Sequence, residues 1–255
     1  MGSFFASVGF PYNGTDEFVR LCMNTKHEGE IITTSSGTYY RLGVPIPDAD
    51  EFEIELWLKE THDGEHISIN AHMVGPTEGK VCLLAALNKS EGQHYEGAYR
   101  CDCTQWLMVG EEMVRMPFVF DCPNFDCGEN FILPHFARTS FCGLGASLTC
   151  YEDETDYLVR SNKPPPAYMF AHDFIRNGTP FMEPLSPIAH ITGWVDDTRI
   201  ITNPVTDCDF TWATIDVGDM GLMEVVAAPD GLDGFIREGG VVSGTVWLSG
   251  RLIEW

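Results

Sequence analysis

The sequence predicts an α+β protein, mostly antiparallel β. It divides into a β-rich N-terminal domain over residues 1–160, a proline-rich linker over 161–187 and a five-stranded C-terminal barrel over 188–255. Three observations predict it. Apolar residues recur with period two through most of the chain, the pattern of half-buried strands. Gly, Asn and Pro separate those runs, as strand connections require. Six of the fifteen prolines fall between Ser161 and Pro187, and a residue with fixed φ and no N–H suits neither a central strand nor a helix interior.

The first element reads as a helix. Thr15 can cap it, and Asp16 and Glu17 lie in the first turn, where acids favour the dipole. Phe18, Leu21 and Cys22 then share one face, and Gly29 is expected as a left-handed stop. Ile31–Thr34 and Thr38–Leu42 flank Ser35-Ser36-Gly37 as a hairpin. From Glu51 to Leu58 acids alternate with apolar residues, which predicts one wet face and one buried face. His66–Val74, Val81–Leu87, Tyr95–Val109 and Met116–Phe120 read as further strands, and Ser147–Tyr151 as a short one. The acidic run Glu152–Asp156 leads into a short helix. Beyond the prolines come Ile188–Asp196, Thr198–Ile201, Phe210–Val217, Met223–Ala228 and Val241–Ile253, with Asp230–Arg237 read as a small helix. Five strands with a small helix before the last are the ingredients of an OB-like barrel.

Several of these segments resemble a family of uncharacterised bacterial proteins. The resemblance rests on Ile191-Thr192-Gly193, Thr202-Asn203-Pro204-Val205-Thr206, Glu224-Val225-Val226-Ala227 with Pro229, and Gly244 through Leu252. In the N-terminal part it rests on Glu55-Leu56-Trp57-Leu58 and Pro117-Phe118-Val119-Phe120-Asp121. It implies an OB-like C-terminal barrel ending in a Trp-Leu-Ser-Gly-Arg-Leu strand, and it implies no activity. The chain departs from the family at Asp207-Cys208-Asp209.

Charge narrows the partners. With 38 Asp and Glu against 15 Lys and Arg, the formal net charge is −23. Nucleic-acid affinity comes mostly from Lys and Arg displacing counterions, and no basic cluster appears, so a basic protein is the expected partner and nucleic acid is not. Such a partner is attracted at a salt-sensitive rate. The composition, 44% hydrophobic and 12% aromatic, supports a packed core rather than disorder. The longest apolar run, Val81–Leu87, falls far short of the ~20 residues that cross a bilayer, so no membrane partner is expected. The first residues lack a basic n-region, which predicts a cytoplasmic protein whose nine cysteines stay reduced.

Candidate sites are few. Cys101 and Cys103 share one strand face, and Cys122 and Cys127 follow in a loop, so four thiols could surround zinc. Their spacing departs from structural zinc sites, and strand alternation explains Cys101 and Cys103 as core residues, so no metal or other cofactor is expected. His66 and His72 share a strand face without a third ligand. Gly143–Ser147 is no nucleophile elbow, and neither a phosphate-binding loop nor a His-Glu-x-x-His pair occurs.

The barrel surface is the remaining candidate. In the last strand Val242, Gly244, Val246 and Leu248 suit the interior, leaving Trp247 and Arg251 outside. With Trp194, Arg199, Phe210 and Trp212 they form the expected ligand face, of the kind on which OB-like barrels stack bases. The competing expectation packs Trp247 against the N-terminal domain. The chain is thus expected to be a non-catalytic binding or interaction protein. The alternatives are a single-stranded nucleic-acid binder using the barrel face and an enzyme whose groups converge from distant segments.

Overall fold

A computed structural model describes residues 4–11, 15–64, 67–88, 97–103, 107–109, 112–114, 117–162, 168–171, 186–218 and 221–255. Helix α1 (Thr15–Glu28) carries Asp16 and Glu17 in its first turn and Lys26 and His27 in its last, the distribution its dipole favours. Gly29 ends it for a steric reason. Its φ is not among the positive ones, but a Cβ there would collide with the Thr25 carbonyl oxygen.

Strands β1 (Glu30–Thr33), β2 (Gly37–Pro45), β3 (Glu53–Thr61) and β4 (Ile67–Val74) follow as an antiparallel sheet in chain order. Its registers place Ile54, Leu56 and Leu58 on one face with Leu42, Ala71 and Met73. That apolar face packs with Leu21 and Cys22 of α1. Tyr39, Arg41, Glu55, Trp57, Lys59 and His72 occupy the other face. The alternation predicted that face to be wet. Instead Glu55 and Trp57 are 0% and 1% exposed, because the second sheet lies over them.

That second sheet contains β5 (Gly79–Asn88), β6 (Gly97–Cys103), β9 (Pro117–Asp121), β10 (His135–Tyr151), β11 (Tyr168–Ala171), β12 (Ile188–Thr202), β13 (Asp209–Asp216), β14 (Leu222–Ala227) and β16 (Val241–Leu252). A two-residue strand β15 (Leu232–Asp233) adds to β10, and β7 (Leu107–Val109) with β8 (Glu112–Val114) makes a separate hairpin. Helix α2 (Glu154–Ser161) is capped by Asp153, whose carboxylate accepts from the Asp156 N–H. The segment 230–237, read as helix, instead forms β15 after a single turn at Pro229–Gly231. The two runs read on either side of Asp197 are one strand, β12, joined through an irregularity between Val195 and Asp197.

Eight strands close into a barrel in the order β12-β13-β14-β10-β5-β6-β9-β16. Within it β10 and β16 also pair with each other, from Thr139↔Leu252 to Tyr151↔Val241. Along its other edge β10 meets β5 at His135–Thr139 and then β14 at Cys142–Leu144. Closure therefore runs through a long strand between β14 and β16 of which only the last five residues were anticipated. Gly143 and Gly145 interrupted the sequence pattern, yet both sit in the strand, where a Cβ would press on Val246 and on Ala227. Glycine here makes room for side chains of the two neighbouring strands, β16 and β14.

One apolar cluster, including Val81, Phe118, Ile215, Val246 and Leu248, fills the barrel. A second, including Leu56, Leu144, Trp212 and Trp247, joins the barrel's outside to the small sheet and to Val8 and Phe10. Burial of each large apolar side chain contributes roughly 1.5–3 kcal/mol. Among the described residues no helix is long and apolar enough to cross a membrane.

Candidate binding site

The polar face of the small sheet meets the barrel through matched charges. Glu55 Oε1 accepts from Arg41 Nη2 at 2.7 Å and Nε at 3.0 Å. Its Oε2 accepts from Trp57 Nε1 at 2.8 Å and lies 3.3 Å from Arg251 Nε. One buried carboxylate thus lies between two guanidiniums, one from each sheet. Beside it His72 is fully buried, with Nδ1 2.9 Å from Ser249 Oγ and Nε2 3.3 Å from Ser140 Oγ. Burial, reinforced by the Arg251 charge, pushes its pKa down to about 3, so the ring is neutral. Lys59 Nζ reaches Asp126 at 2.6 Å from the same face.

The indoles of the barrel are anchored in the same manner. Trp247 Nε1 donates to Asp121 Oδ2 at 3.0 Å, and Trp212 Nε1 donates to Glu224 Oε2 at 3.0 Å. Glu224 also accepts from the Thr77 N–H at 2.7 Å and hydroxyl at 2.5 Å, while burial raises its pKa. General acid–base chemistry requires reach to a substrate proton. Here the titratable groups point into packed protein, and most of their polar atoms are met by one another.

The predicted ligand face falls largely in this interface. Phe210 and Trp212 are each 1% exposed and Trp247 is 7% exposed. Trp212 packs edge-to-face on Phe52 with centroids 4.7 Å apart, and Trp247 lies 4.6 Å from Phe4. Arg199, half-exposed, ion-pairs with Glu51 at 2.9 Å over the Phe52 ring. Arg251 is the guanidinium on Glu55. Trp194 stands apart, opposite Asp216 and Val241. Sequence reasoning missed Glu55, His72 and Glu224 as partners, although the odd-numbered acids of β3 were a visible signal.

Among the described side chains, eight cysteines form no disulfide. Cys101 belongs to the barrel core, and Cys122 Sγ donates to Asn124 Oδ1 at 3.3 Å. Burial pushes the Cys127 thiol up to about 12 and raises that of Cys122 well above its usual value. The Cys103 side chain and His66 lie outside the described residues. Among the described residues no group of three His, Cys, Asp or Glu gathers to hold a metal ion.

A cavity of about 520 Å³ opens where β10 passes from β5 to β14. Gly79 and Leu222, the first residues of those two strands, both line it. Val81, Phe118, Phe141, Met169, Met223 and Leu248 form its walls, with Glu78 and Lys80 as its charged residues. Because β5 pairs only as far as Thr139 and β14 only from Cys142, the wall parts there.

No protein family, curated protein or solved structure matches the chain.

Proposed function

We propose that this is a non-catalytic binding protein of the cytoplasm whose acidic surface engages a basic protein partner. The observation that carries the reading is how the scarce cations are used. Lys26, Arg41, Lys59, Arg138, Arg160, Arg199, Arg237 and Arg251 each sit against a carboxylate of the same chain. With a net charge of −23, the excess that remains for a partner is negative. The free thiols support the compartment. Burial of Phe210, Trp212 and Trp247 leaves the nucleic-acid alternative without stacking surfaces from these three rings. Within the barrel, β12, β13, β14, β10 and β16 pair in a ring of five, which supports an OB-like reading of that tier built with a strand from before residue 160.

The test is a titration with a labelled Lys/Arg-rich peptide, read by fluorescence anisotropy, beside a Glu-rich control. Saturable one-to-one binding that weakens as salt rises, with hydrogen-exchange protection confined to one face, is expected. Failure to bind at low ionic strength overturns the reading.

A further inference from the structure

The geometry points to a second, separate site: the cavity between β5 and β14 binds a neutral, largely hydrocarbon or aromatic small molecule. This goes beyond the acidic-surface reading and does not depend on it.

Protein interiors are close-packed, with few voids larger than a water molecule. A pocket of about 520 Å³, partly open to solvent, cuts into the barrel core, and it lies within the roughly 300–1,000 Å³ range of small-molecule sites. Its origin is topological. Two strands share one edge of β10 in succession, and Ser140 and Phe141, between their ends, have no strand partner on that edge. Side chains around the gap do not close it.

The lining sets the chemical class. Phe118 and Phe141 offer aromatic surface, and Met169 and Met223 offer flexible thioethers that adapt to irregular shapes. A charged ligand would be desolvated against these walls without compensation. The two charged residues there have opposite signs and are already engaged. Glu78 is hydrogen-bonded to Arg138, and Lys80 lies 5.8 Å from the centre of the Phe136 ring. The strongly negative chain further opposes an anion. A neutral apolar molecule meets none of these penalties.

The probe is N-phenyl-1-naphthylamine, neutral and fluorescent in apolar surroundings, titrated into the full chain. Saturable one-to-one binding with blue-shifted emission is expected. Met169→Trp fills the cavity and weakens binding by about tenfold or more, with circular dichroism unchanged. Leu222→Trp narrows the opening from a position 49% exposed, where folding tolerates bulk, and gives the same loss if Met169→Trp does not fold. Ile132→Ala, at an exposed apolar residue outside the lining, leaves binding intact. Absence of saturable binding, or full binding by folded Leu222→Trp, overturns the inference. Displacement of the probe by the basic peptide also overturns it, because a protein side chain would then be the occupant. Peptide binding is read separately by anisotropy, so either proposal can fail without the other.

Discussion

The two faces of the four-stranded sheet are built from alternate residues of the same strands, yet different forces hold them. One face, around Ile54, Leu56 and Leu58, packs with α1 in the ordinary apolar way. The other carries Glu55, Lys59 and His72, and it is buried just as deeply. Burial of the second face depends on Arg41, Arg251, Asp126 and two serines arriving in register with its charges. A polar strand face is therefore not evidence of exposure. It shows only that whatever covers it must be complementary.

Breaking that complementarity gives the largest expected effect. Glu55→Leu takes from Arg251 the carboxylate beside it and leaves Arg41 only Glu53 and Glu30, and the stability loss in urea unfolding is about 3–5 kcal/mol. A loss no greater than that of an exposed-site control would refute charge matching as the glue. On the apolar face Leu56→Ala costs about 3 kcal/mol by creating a cavity at a fully buried position.

Acid sharpens the contrast further. His72 has a folded-state pKa near 3 against the usual 6.5, so between those values the unfolded chain binds the extra proton. Stability from the neutral ring is whole above pH 6.5 and is lost as pH falls towards 3. Glu224 acts in the opposite sense. Its pKa is raised above 4.5, so its contribution is present below that value and fades as pH rises through the raised one. Melting curves between neutral and mildly acidic pH should show a steeper fall for the natural chain than for His72→Gln; equal slopes would remove His72 from the account. The smallest effect belongs to Lys26→Ala, which removes an exposed pair with Glu60 and costs about 0.5 kcal/mol in the same urea assay.

Much of the secondary structure was legible, because it is local. The acids at Asp16 and Glu17 marked α1, the Ser35-Ser36-Gly37 turn marked the β1–β2 hairpin, and alternation marked β13, β14 and β16 within a residue or two. It was least legible at β10, where Gly143 and Gly145 imitate a loop and only packing against Val246 and Ala227 explains them. The cavity was not legible at all. It exists because β5 and β14 take turns on one edge of β10, a fact of strand pairing rather than composition.

Alternation along the chain located most strands and assigned residues to their sides. In β16 it separated Val246 and Leu248, inside the barrel, from Trp247 and Arg251, outside it. What covers those sides came from folding: Phe4 and Asp121 for Trp247, and Glu55 for Arg251. Side-chain alternation follows from bond geometry between neighbours, and it needs nothing beyond the strand itself. The covering partner is chosen by packing and charge matching among segments far apart in the chain, and no local pattern records it.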